Sequence, residues 1–256
     1  MGVDWLEGVA EGVDWTSLTM ASKYIAGGLA MGLGAIGAGV GEGYNAGQTV
    51  QSTARQPAAT GELVRTMLVG QAIAETSGIF ALVVAFMLVF LPHQPSMEIA
   101  GALIGAGLAM GLGSLGSGIG AGLAGGRAAE SIGRNPESRG NVTLTMLLGQ
   151  ALTTSPAVFS LMVAVILVLG QQFNKYLGAD LQIAVAALAA GLCMGAGATG
   201  PGLGTGIAAG GACDAAGRTP TAGSSITRVM LMGGAVSQST GIYSFVIAFI
   251  LIFFVK

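Results

Sequence analysis

Apolar residues in this chain come in runs too long for one face of a soluble helix and too unbroken for a strand. Residues 79–91, 158–169 and 243–255 are nearly continuous Ile, Leu, Val, Phe, Ala and Met. Extended upstream through Gly, Ala, Met and Ser, each run exceeds the roughly 20 residues that a helix needs to cross a bilayer. Six such segments can be placed, at 23–53, 59–91, 98–132, 138–170, 180–216 and 222–254. At ~1.5 Å per residue the longer ones reach ~45–50 Å and project beyond the hydrocarbon. The expected fold is an all-α membrane protein with six transmembrane helices, both termini lying on the same side.

The six segments are one pattern written three times. Arg55-Gln56-Pro57, Arg134-Asn135-Pro136 and Arg218-Thr219-Pro220 are versions of one polar loop. A glycine series begins 23 residues before each loop arginine. In the first repeat it reads Gly32, Gly34, Gly37, Gly39, Gly41 and Gly43, and the same register starts again at Gly111 and at Gly195. Eighteen residues after each loop proline stand Glu75, Thr154 and Gln238. They close related stretches that open on Gly70-Gln71-Ala72, Gly149-Gln150-Ala151 and Gly233-Gly234-Ala235. Repetition of this kind divides the chain into three tandem helical hairpins, 22–95, 96–174 and 175–256, behind an N-terminal segment, 1–21.

Glycine weakens a helix in water but lets backbones approach closely in lipid, so the odd-numbered helices should form a tightly packed layer. The even-numbered helices carry the phenylalanines and should lie outside, against lipid. Three inner and three outer helices make an arc, and an arc buries its flanks only by joining copies of itself into a closed ring.

Charge is scarce, at 9% of residues, where a soluble domain spends about a quarter. Its placement orients the chain: Arg55, Arg65, Arg127, Arg134, Arg139, Arg218 and Arg228 cluster at the loops after helices one, three and five, which should therefore face the cytoplasm. Trp5, Leu6, Val9, Val13 and Trp15 among acidic residues suggest that segment 1–21 lies in the membrane interface. The start lacks the basic region of a cleaved signal peptide. No basic patch points to nucleic acid, and Cys193 and Cys213 are too few and too apolar in setting for a disulfide framework or a metal site. Gly32-Leu33-Gly34-Ala35-Ile36-Gly37 matches a dinucleotide-binding pattern by spelling only, because no strand precedes it. His93, in a turn between Pro92 and Pro95, reads as a solvated loop residue.

The chemistry rests on two carboxylates. Glu75 falls about 24 Å along the second helix, and Glu42 about 20 Å from the loop on its antiparallel partner, so the two share nearly one depth. A charge at mid-bilayer costs on the order of 2.5–3.5 kcal/mol even on lenient scales, so an ionisable group there is a functional candidate by default. Two close carboxylates in low dielectric cannot both stay ionised: one keeps its proton, or a cation sits between them. Oxygen ligands suit Na+, and a carboxylate pair also suits H+, with the balance leaning to Na+. No cofactor is expected. At the matching positions, Ala121 with Thr154 and Thr205 with Gln238 can exchange hydrogen bonds but carry no charge, and should be passive.

The stretch 37–44, Ala54-Arg55-Gln56-Pro57 and Glu75-Thr76-Ser77-Gly78-Ile79-Phe80 together resemble the c subunit of F-type ATP synthases, the proteolipid of the membrane rotor, over about 22–255. The resemblance implies a rotor ring that turns against the stator's a subunit, with the second-helix carboxylate binding the transported H+ or Na+ and the polar loops touching the central stalk. It implies a multi-pass protein of a bacterial or archaeal inner membrane that translocates ions for the complex and is no enzyme by itself. Lipid and further copies of the chain are its remaining partners. In sodium-binding relatives the adjoining hairpin adds a carbonyl, a hydroxyl and an aromatic hydroxyl, which hairpin three offers as Val236, Ser239 and Tyr243. Hairpin two offers only Leu152, Ser155 and Phe159, and Ser239 and Tyr243 are also open to a reading as packing groups. The usual family form has one hairpin. Two alternatives stay open: a fused proteolipid of a vacuolar or archaeal rotor, and a ring proteolipid that conducts nothing.

Overall fold

The computed structural model describes residues 14–170 and 181–255, and among these it is helical nearly throughout. The long helices are α1 (Trp15–Arg55), α2 (Thr60–Phe90), α3 (Met97–Arg134), α4 (Arg139–Leu169), α5 (Leu181–Arg218) and α6 (Gly223–Phe253). All six are long and apolar enough to cross a membrane, so this is an integral multi-pass membrane protein. Much of segment 1–21 falls outside the described residues. Its end belongs to α1, which starts at Trp15 rather than near residue 23, because Asp14 caps it. The Asp14 carboxylate accepts from the Thr16 and Ser17 amides at 3.0 and 3.3 Å and from the Ser17 hydroxyl at 2.6 Å, satisfying donors that an open helix end leaves bare.

The loop prolines write the hairpin turns. Proline pushes the residue before it out of the helical region, and Gln56, Asn135 and Thr219 each take an extended φ near −137° with ψ of 74–87°. Each of those residues still donates its amide to the last helical turn, and the proline opens a single 3-10 turn that feeds the returning helix. Asn135 donates to the Gly217 carbonyl and Asn141 to that of Pro220, both at 3.0 Å, so neighbouring turns are tied at one end of the molecule.

The inner helices stand in a row, α3 between α1 and α5. Glycine sets their spacing: a β-carbon on Gly37 would lie 2.5 Å from the Leu115 Cα, and one on Gly202 would lie 2.8 Å from the Gly116 carbonyl carbon. Outside this row, α2 sits in the groove between α1 and α3, and α4 in the groove between α3 and α5. Helix α6 rests on α5 and touches α4, leaving it the most exposed of the six. The result is an arc open at both ends.

Glycines Gly34, Gly37 and Gly41 pack as expected, but Gly32, Gly39 and Gly43 face open space on the free edge of α1. At the end away from the loops, Lys23 donates to the Leu91 carbonyl at 2.7 Å. His93 is half-buried there rather than solvated, donating to the Val168 carbonyl at 3.3 Å. Burial, the larger cause, and the nearby Lys23 charge hold its pKa below the ordinary histidine value.

Candidate ion-binding site

Glu42 on α1 and Glu75 on α2 come within electrostatic range of each other. Glu42 is half-buried, and Glu75 is exposed on the flank of the arc that α1 and α2 leave open. Neither carboxylate has a hydrogen-bond or ion-pair partner among the described residues. The Gln71 side chain, one turn before Glu75, donates to the Glu42 main-chain carbonyl at 3.2 Å and joins the two helices at this level. Ser77 is buried with its hydroxyl turned back to Ala74, while its carbonyl accepts from Ser114 of α3 at 2.8 Å. The face of α2 behind Glu75 is thus fixed to the chain and the face carrying Glu75 is free.

The corresponding positions of hairpins two and three are filled without charge. Ala121 is buried, and Thr154 donates only to the Ala151 carbonyl of its own helix. Thr205 does not meet Gln238: its hydroxyl returns to the Pro201 and Gly202 carbonyls, at 2.7 and 3.1 Å. Gln238, 8% exposed, instead donates across the hairpin boundary to the Leu152 carbonyl of α4 at 2.5 Å. At this boundary, then, the residue at the Glu75 position faces the Leu152 carbonyl, whose counterpart one hairpin on is that of Val236.

Val236, Ser239 and Tyr243 lie on α6, with α4 between them and α2, so the chain does not bring them to its own Glu75. Val236 is 73% exposed and Tyr243 66%, and the Ser239 hydroxyl donates to the Val236 carbonyl at 2.7 Å. These groups mark the opposite open flank. Among the described residues no cluster of three His, Cys, Asp or Glu gathers around a metal position, so any cation at Glu42 and Glu75 needs neutral oxygens as well.

The loop residues share one end. Arg55, Pro57, Arg134, Arg218 and Thr219 are exposed, and Gln56, Asn135, Pro136 and Pro220 partly so. A charge ladder not foreseen in the sequence runs beside them. Glu130 receives Arg127 at 2.9 Å and Arg134 at 2.6 Å, Arg134 also pairs with Asp214, and Asp214 takes Arg218 at 2.7 Å. At its start Arg55 has only Gln51 to meet, at 3.4 Å. Gln71, Gln150 and Asn45 also went unassigned, although Gly-Gln-Ala occurs twice at matching places.

The family model described as the ATP synthase C subunit matches this chain three times, at residues 25–88, 104–167 and 188–251, once within each hairpin. The ATP synthase c subunit of Natranaerobius thermophilus is 51% identical over 78 residues, 30% of this chain and 90% of that protein. That of Alkaliphilus oremlandii is 55% identical over 80 residues, 31% of this chain and 90% of its own length. The Thermotoga maritima protein of the same name is 43% identical over 74 residues, 29% of this chain and 87% of its length.

Proposed function

The chain belongs to the ATP synthase C subunit family, once in each of its three hairpins, and on that premise we propose that it is the rotor-ring subunit of a rotary ATP synthase, carrying Na+ or H+ on Glu75 and Glu42 while the ring turns.

Ring closure is supported by how the two edges of the arc answer each other. Gly111 and Gly118 of α3 sit against α1, and Gly195 and Gly202 of α5 sit against α3. Their counterparts Gly32 and Gly39 on α1 meet nothing. At the other edge Gly200, counterpart of Gly37 and Gly116, is equally open. Shifting the pattern by one hairpin seats α1 of one copy on α5 of the preceding copy and gives α6 its second inner helix.

The observation that carries the ion site is the bond from Gln238 to Leu152. Moved on by one hairpin, it becomes Glu75 of one copy facing the Val236 carbonyl of the preceding copy, beside Ser239 and Tyr243. A protonated Glu75 donates there as Gln238 does; an ionised one shares a cation with that carbonyl, the Ser239 and Tyr243 hydroxyls and Glu42. Either way the charge is neutralised before it crosses lipid, where it costs on the order of 2.5–3.5 kcal/mol bare. The oxygen set favours Na+.

Release takes place at the stator's a subunit, and the loops of Arg55, Arg134 and Arg218 dock the central stalk from the cytoplasmic side of a bacterial or archaeal inner membrane, with both termini opposite. With one carboxylate pair per six helices, fewer ions move per turn than in a single-hairpin ring of equal circumference. Such a rotor needs a larger ion-motive force for synthesis and suits ATP-driven pumping.

Labelling with a hydrophobic carbodiimide tests the site. The expected result is modification of Glu75, suppressed by Na+ at constant pH. Suppression by rising pH alone assigns H+, and absence of reaction at Glu75 under both conditions overturns the site.

A further inference from the structure

The inner junctions of the chain are each crossed by one buried glutamine amide, and the repeat assigns a third. Gln150, fully buried, donates to two carbonyls: Ala121 of its own hairpin at 2.9 Å and Gly70 of the preceding hairpin at 3.0 Å. Hairpin three has Gly234 in place of that glutamine. There Gln238, one turn further along, makes the crossing to Leu152. The amide nitrogens of Gln150 and Gln238 face carbonyl oxygens, so a flipped amide would set oxygen against oxygen and the orientation is forced, even though it leaves both amide oxygens buried without a donor.

Gln71 is the counterpart of Gln150 in hairpin one. It already makes the first of the two bonds, to the Glu42 carbonyl, which corresponds to Ala121. The counterpart of the second acceptor, Gly70, is Gly233 on α6, an exposed glycine with nothing within 4 Å of its β-carbon position. Resting on the proposed ring closure, we infer that Gln71 clasps each copy to the preceding one by donating its second amide hydrogen to that copy's Gly233 carbonyl. Every junction around the ring is then closed by one amide: Gln150, Gln238 and Gln71. An amide does not ionise, so the clasp between copies holds whether Glu75 is loaded or empty. Because the same amide holds the Glu42 carbonyl, it also fixes the backbone of the inner carboxylate against the copy boundary.

The test uses full-length chains with Cys193 and Cys213 replaced by alanine. A chain carrying both Gln71→Cys and Gly233→Cys, treated in purified rings with a short thiol-to-thiol reagent, should give a ladder of covalent multimers. Gly70→Cys with Gln150→Cys should link within one chain only. Separately, Gln71→Leu should speed ring dissociation in detergent by about tenfold, as expected for loss of one buried hydrogen bond per junction, with monomer helix content unchanged. Assembled rings that give no intermolecular link, or Gln71→Leu rings as durable as the parent, would overturn the clasp. Failure of the parent chain to form rings overturns ring closure instead, and neither readout depends on ion transport.

Discussion

A methyl group added at Gly39 separates folding of the chain from assembly of the ring. Within the chain its β-carbon would meet nothing within 4 Å, and relief of glycine's helix penalty stabilises α1 by up to ~1 kcal/mol. Its counterpart Gly118 shows what the ring would impose: a β-carbon there lies 2.6 Å from the Gly37 carbonyl carbon and 2.7 Å from the Ala38 amide nitrogen. Both are backbone atoms, real β-carbon contacts essentially never fall below 3.0 Å and ordinary ones begin at 3.4 Å, so adjacent inner helices would have to part by roughly 0.4–0.8 Å. Overpacking of this kind costs about 1–3 kcal/mol, or roughly 5- to 150-fold in association at every copy boundary. Gly39→Ala should therefore leave helix content and monomer yield unchanged while native mass spectrometry shows rings giving way to single chains. Gly118→Ala should instead destabilise the chain itself. Gly39→Ala rings as abundant and as heat-resistant as the parent would refute the one-hairpin shift on which the ion site depends.

Exhaustive carbodiimide treatment should add one adduct per chain, at Glu75, and intact-protein mass should rise to two adducts in Gln238→Glu; a single adduct in that variant would contradict the equivalence of the two positions. The Asp14 carboxyl is held below its ordinary value chiefly by the Ser17 hydroxyl and amide. A depressed carboxyl stabilises above its unfolded value of 3.8 and loses this as pH falls through the lower folded value, so hydrogen exchange at the start of α1 should quicken there and Asp14→Ala should remove the pH dependence. His93, lowered by burial, likewise favours the folded form above its ordinary value of 6.5, and the half-buried packing of its ring should loosen as the solution is acidified below it, against the bond to the Val168 carbonyl, which favours the charged ring; imidazole NMR follows the change.

The sequence spelled out the hairpins because proline acts locally: Arg-x-Pro ends helices at Arg55, Arg134 and Arg218 whatever surrounds them. The start of α1 was harder to see, since Trp15 and its acidic neighbours suit an interface as well as a helix start, and the capping role of Asp14 turns on backbone geometry. His93 was misjudged for a tertiary reason: two prolines mark a turn, but only packing shows that the end of α4 covers it. Thr205 and Gln238 looked like partners by alignment, yet a threonine inside a helix finds its own carbonyls first. Glu42 and Glu75 stood out because ionisable groups are rare at that depth. Glutamines at the same depth carry equal weight, as polar side chains between membrane helices seldom lack a partner.

ATP-driven ion uptake by proteoliposomes containing the intact complex, with Glu75→Gln beside the parent, is the most direct measurement of ion carriage by this rotor. The parent should accumulate Na+ or H+ in proportion to ATP hydrolysed, and the variant, with rings of normal size, should accumulate neither. Uptake per ATP undiminished in Glu75→Gln would contradict the account.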